Sequence, residues 1–367
     1  MNFLLLINGT WYSFISQGRA LQKALQAAGV NVEVLICGDS PPDLQAFKDY
    51  VVIPIGSWQQ YDMIVAPALA AGLKTMPWLV SDGSVTPEII RKLNELPLIV
   101  TTSNYCKDIF VRDGLDAKRL TVIYECVDED AWRPYTEQEL NTFLDLVSID
   151  EPDQPNVRLS YNLRHAKTQG IPIFFTLGGD AGSKGSVEIL TALSHLKDEM
   201  PWIYMIKTMP LDPDASRIRP IAQDVIDASN NLADRIRYIS GEFSQDFMVG
   251  LMNLCDVYVV TSRGEGFGLP LVEAQMCGKM VITHKANSTP ETIIDGETGL
   301  LAECHIDPQG IARADIASLQ AQLQQSMQDT ALRKRLSNAA RQTAIERFGK
   351  KIIAKQFLET TKEFLSR

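Results

Sequence analysis

With 45% hydrophobic and 22% charged residues over 367 positions, the chain has the make-up of a soluble globular protein long enough for two α/β domains. A net charge of −10 works against a grip on nucleic acid. The first 135 residues carry 11 Lys and Arg against 15 Asp and Glu, so this half also lacks a basic excess for anionic lipid.

In chain order, Met1–Ile7 has no basic leader and is too short for a signal peptide or a transmembrane span, so it predicts a buried first strand. A loop, Asn8–Ser13, leads to an amphipathic helix over Gly18–Ala28. Leu21, Ala24, Leu25 and Ala28 share its apolar face and Gly29 closes it. Strands are predicted at Val32–Ile36, Val51–Ile53, Asp62–Ala66, Pro77–Val80, Leu98–Thr101 and Leu120–Tyr124. The helical stretches between several of them imply a parallel sheet covered on both faces. Between Tyr135 and Gly170 the pattern weakens into an acidic, proline-bearing connection with one short helix near Glu137–Leu146. A second sheet is predicted from Ile171–Leu177, Trp202–Ile206, Ile236–Ile239, Val257–Thr261 and Val281–Thr283, and a last helix over Lys351–Phe364. The six cysteines show no C-x-x-C spacing and no paired histidines nearby. They read as reduced thiols of a cytoplasmic protein, with no structural metal.

Two stretches carry chemistry. In Gly178–Gly185 the order Ser183-Lys184-Gly185 is wrong for a Walker A loop, which disfavours a P-loop NTPase. In Ser262–Ala274 an apolar strand gives way to Gly264, Gly266 and Gly268, and Pro270 is suited to open a helix. Backbone N–H groups and the positive end of the helix dipole then favour an anion, while the spacing departs from the dinucleotide fingerprint. Glu265 and Glu273 beside an anion site suit sugar or ribose hydroxyls rather than phosphate.

Glu265 and Glu273, with the downstream Cys277–Thr283 and Thr289–Leu301, resemble the retaining glycosyltransferases of family 4. The family wording is S-x-x-E-G-F-G-L-P-x-x-E-A-x-x-x-G-x-P-V followed by P-E-x-x-x-D-G-x-T-G-L-L. Met280 replaces a proline of that pattern. Thr102–Lys107, Val122–Asp128 and Trp132–Pro134 resemble the stretch closing the family's first domain, with Glu125-Cys126 in place of Asn-Gly.

The resemblance implies the GT-B fold: two Rossmann-like, doubly wound parallel-sheet domains facing each other across a cleft. Residues 1–134 would form the acceptor-side domain, 135–168 the connection and 169–349 the donor-side domain, with a C-terminal helix over 350–367 packing back on the first. It further implies transfer of a sugar from a nucleoside-diphosphate sugar to a glycan, lipid-linked or small-molecule acceptor, without metal or other cofactor. Lys184 and the N–H groups of Gly266, Phe267, Gly268 and Leu269 would meet the diphosphate, Glu265 the donor sugar and Glu273 the ribose. The family's arginine near Gly178, its glycine pair and its first-domain histidine have no counterpart. Lys207 or Arg263 stands as the substitute for the arginine, Ser13 marks the place of the glycine pair, and Asp82, equally readable as an ordinary turn aspartate, stands for the histidine. A sugar-nucleotide epimerase of the same shape and a non-catalytic nucleotide-sugar binder are the alternative readings.

Overall fold

A computed structural model of the chain describes all residues except 10, 39–42, 148–162, 179–181, 197–199, 209–231, 233–234 and 309–310. It divides into two compact units. One comprises Met1–Glu129, Glu265–Leu269 and Ala344–Arg367, the other Asp130–Gly264 and Pro270–Thr343. Residues 148–162 of the acidic, proline-bearing connection lie outside the described residues, as do Gly179 and Asp180 of the lysine loop. Among the described residues no helix is long and apolar enough to cross a membrane.

The first unit begins β1 (Asn2–Asn8), α1 (Tyr12–Ala27), β2 (Asn31–Cys37), β3 (Val51–Ser57), α2 (Tyr61–Ile64), α3 (Ala66–Ala70), β4 (Lys74–Thr75) and β5 (Trp78–Val80). It continues with α4 (Pro87–Leu93), β6 (Ile99–Thr101), α5 (Asn104–Arg112) and β7 (Leu120–Val122). The strands form one parallel sheet of order β2-β1-β3-β5-β6-β7, with β4 also on β3. Period-2 alternation divides the apolar residues of β1 between two cores: Phe3, Leu5 and Ile7 on one face, Leu4 and Leu6 on the other. The C-terminal helix contributes Ile353, Phe357 and Phe364 to the first of these. Phe357 meets Trp78 edge-on, ring centroids 4.7 Å apart, and Trp78 Nε1 donates to the Ile123 carbonyl at 3.1 Å. Burying a phenylalanine this fully contributes about 3 kcal/mol.

One sequence expectation fails here. Asp62–Ala66 is helical rather than a strand, because Tyr61, Ile64, Val65 and Ala68 fall at helical spacing and are all buried in the second core. Pro67, in the first turn of α3, suits a helix start and would deny a central strand a donor. The first helix also starts earlier than its apolar periodicity suggests, so Ser13 lies inside its first turn.

The second unit holds α6 (Glu137–Val147), α7 (Leu163–Gln169), β8 (Ile173–Leu177), α8 (Ser186–Ser194), β9 (Ile203–Thr208), β10 (Ile236–Ser240) and α9 (Gln245–Leu254). Beyond these come β11 (Val257–Val259), α10 (Leu269–Met276), which starts at the division between the units, β12 (Met280–His284), α11 (Thr289–Thr292) and β13 (Gly299–Ala302). A small antiparallel pair, β14 (Cys304–Ile306) and β15 (Ala312–Ala314), precedes α12 (Ile316–Gln328) and α13 (Thr330–Phe348), whose residues from Ala344 on belong to the first unit. Helix α14 (Lys350–Ser366) ends the chain. The main sheet is parallel with order β10-β9-β8-β11-β12-β13, the doubly wound Rossmann order.

Candidate active site

In a doubly wound sheet the ligand crevice lies beyond the carboxyl ends of the strands where the order reverses. In the second unit that point is between β8 and β11. The loops leaving these two strands are the two stretches singled out in the sequence. They are bonded to each other: Thr261 N–H donates to Lys184 O at 3.3 Å, Arg263 N–H to Ser183 O at 2.7 Å, and Thr261 Oγ1 to Gly185 O at 3.1 Å. Gly185, with φ of +70°, caps α8, and a Cβ there would lie 2.0 Å from Thr261 Oγ1. Glycine is therefore required both for the backbone conformation and for the contact. Lys184 is half-buried at the end of a single 3-10 turn, immediately before this glycine.

Glu273, in the second turn of α10, is 6% exposed, and among the described residues no hydrogen bond reaches its carboxylate. Burial pushes its pKa up to about 8. A carboxyl group held this way in an apolar helix face lacks the partners that ordinarily make burial tolerable. Its neighbours explain the setting: Leu271, Val272, Ala274 and Met276 are all buried, and Gln275 Nε2 bonds to Leu271 O and Thr292 O.

The segment Glu265–Leu269 belongs to the first unit. Gly266 O accepts from Ser103 Oγ at 2.6 Å and from Cys106 Sγ at 3.3 Å. Ser103 is also the N-cap of α5, taking the Cys106 N–H at 3.0 Å, so one side chain fixes the helix start and the glycine segment together. A Cβ on Gly266 would meet Val80 Cγ2 at 2.3 Å. Phe267 is 2% exposed, with Tyr124 at 5.9 Å and Phe348 at 5.5 Å between ring centroids. Glu265 remains half-exposed beside these anchors. Asp82 is exposed and follows Ser81, whose carbonyl takes the Cys106 thiol at 2.9 Å. Ser13 is exposed in the first turn of α1, a helix with no side-chain cap and no acidic residue in that turn.

The two candidates for the second cation part company. Lys207 is in register with Leu177 at the end of β9, 8% exposed, and its carbonyl receives the Gly178 N–H at 2.9 Å. Its ammonium lies 6.0 Å from the Phe243 ring centroid. The Arg263 guanidinium is instead engaged by Glu188 at 3.3 Å. Glu188, in the first turn of α8, and His284, at the end of β12, escaped the sequence reading. Both are buried, and burial lowers His284 to about 4. Glu188 sits four residues after Lys184 in an otherwise apolar helix start, a signal that was visible but ambiguous.

Two parallel-sheet α/β domains, the second with its two glycine-bearing loops at the topological switch point, have the GT-B fold. The solved structures agree. HepE of Anabaena, crystallised with UDP and glucose, superposes with a TM-score of 0.73 over 99% of this chain and 100% of its own at 16% identity. Sucrose-phosphate synthase of Thermosynechococcus elongatus gives a TM-score of 0.74 over the whole of both chains at 17% identity.

Residues 227–343 match the family "Glycosyl transferases group 1". Among curated proteins, the D-inositol 3-phosphate glycosyltransferase of Streptomyces bingchenggensis is 32% identical over 164 residues, 44% of this chain and 34% of that protein. The N-acetyl-alpha-D-glucosaminyl L-malate synthase of Bacillus anthracis is 30% identical over 127 residues, 35% of this chain and 30% of that protein. The aligned stretch thus spans about a third of the length of these relatives.

Proposed function

We propose that the chain is a retaining glycosyltransferase of family 4, working in the cytoplasm, that moves a sugar from a nucleoside diphosphate to a hydroxyl acceptor. The observation that carries this reading is Glu273. A buried carboxylate with no hydrogen-bond partner among the described residues, on the helix that follows the glycine loop, suits the paired hydroxyls of a ribose. Lys184 and the N–H groups of Gly266 to Leu269 would stabilise the charge that develops on the leaving diphosphate. Glu265, half-exposed on the anchored segment, would hold hydroxyls of the donor sugar. Asp82 and Ser13 are the candidates the first unit supplies. With a lysine and backbone dipoles neutralising the diphosphate, no metal is required, and attack from the face of the departing group needs no covalent nucleophile.

Because the similar HepE structures contain UDP and UDP-glucose, a uridine diphosphate sugar is the first donor to try. The test is calorimetry with UDP, GDP and ADP, followed by transfer from the matching sugar nucleotide to an acceptor panel, with the product anomer assigned by NMR. Failure of all three nucleotides to bind sinks the proposal, and an inverted anomer removes the retaining mechanism.

A further inference from the structure

The residue joining the two site loops of the second unit has no part in the proposed chemistry. Glu188 Oε1 accepts from Arg263 Nη2 at 3.3 Å and from Arg313 Nη1 at 3.2 Å. The carboxylate is 8% exposed and stands in the first turn of α8, the helix that Lys184 and Gly185 introduce. Arg263 belongs to the other loop, and its own N–H already bonds to Ser183 O at 2.7 Å. Arg313 is held from behind by Asp307 at 2.7 Å. One carboxylate, on the helix that follows the lysine, therefore receives a guanidinium from the glutamate-bearing loop and another from β15. The backbone bonds from Thr261 and Arg263 to Lys184 and Ser183 complete the tie.

We infer that Glu188 is a positioning residue: by clamping Arg263 it holds the loop after β11 against Lys184, so the arginine sets the place of the diphosphate cation and does not itself bind diphosphate. The geometry fits this division of labour. The guanidinium is committed to a nearly buried anion, and paired charges in such a setting hold their geometry because separating them strands a charge. Lys184 sits one residue from the glycine whose absent Cβ permits the contact with Thr261. A displaced Arg263 would release the Ser183 carbonyl and the turn that ends at Lys184. This inference rests on the proposed donor site.

The test compares affinity for a nucleoside diphosphate with affinity for its parent nucleoside, using whichever of UDP, GDP or ADP binds the wild-type protein most tightly. Glu188→Gln is expected to weaken diphosphate binding about tenfold while nucleoside binding, which does not involve Lys184, stays within twofold. Glu188→Asp should recover part of the loss. A merely structural Glu188 would lower the melting temperature and leave the ratio of the two affinities unchanged, which overturns the inference. So does an Arg263→Ala variant that loses diphosphate affinity while Glu188→Gln keeps it, since the arginine would then be a ligand. Lys184→Ala run alongside separates the two levels: if it too leaves the ratio unchanged, the donor-site reading fails. If it lowers the ratio and Glu188→Gln does not, only the clamp fails.

Discussion

Glu273→Gln tests both the burial of this carboxylate and its proposed place at the donor ribose. An unfolded glutamate titrates near 4.5, and burial raises the folded group to about 8. Between these values the folded state keeps a proton that the unfolded state has lost, so stability falls as pH rises. The contribution is fully present below about pH 4.5 and gone above about pH 8. At about 1.4 kcal/mol for each tenfold change in proton affinity, the difference is at most roughly 5 kcal/mol. His284, lowered to about 4 by burial, gives a slope of the opposite sign between about 4 and its ordinary 6.5. The informative quantity is therefore the wild-type profile minus that of Glu273→Gln, measured by urea unfolding from pH 5 to pH 9. Glutamine should remove the decline and gain on the wild type as pH rises. A ribose donating hydrogen bonds selects the ionised carboxylate, so wild-type affinity for the nucleoside should increase toward pH 8, and Glu273→Gln should bind weakly and without that dependence. Loss of a hydrogen bond to a charged group costs about 1.5–3 kcal/mol. Identical pH profiles of stability in the two proteins would refute the buried, unpartnered carboxylate, and equal nucleoside affinity would remove it from the ribose.

Lys184→Ala should lower kcat by about 10²–10³-fold in single-turnover transfer at saturating donor, with partial recovery in Lys184→Arg; a turnover close to wild type would leave Lys184 a solvated charge. Gly266→Ala places a Cβ 2.3 Å from Val80 Cγ2 and should cost about 1–3 kcal/mol in unfolding experiments, with Val80→Ala restoring part of it. Additive effects in that double mutant would show that the two groups do not touch. Of the six thiols only Cys304 is half-exposed, the other five being buried. Burial pushes Cys37 up to about 11 and Cys255 to about 12, so a thiol reagent should label one cysteine quickly under native conditions and Cys304 should be the one modified by mass spectrometry.

The parallel sheets were legible in the sequence because continuous apolar strands alternating with amphipathic helices leave few other arrangements. The two site loops were legible because glycine, proline and paired glutamates at fixed spacing have local causes that do not wait for the fold. Asp62–Ala66 misled because its β-branched and apolar residues suit a buried strand as well as a buried helix. Period and burial against the second core decided it, and those depend on what the segment packs upon. The protonation of Glu273 was invisible in the chain, since a glutamate at that spacing looks ionised until burial withdraws the water that would solvate its charge. The commitment of Arg263 was likewise undecidable in sequence. Glu188 lies 75 residues away, and only the placement of β8 beside β11 brings the first turn of α8 to the loop that carries the arginine.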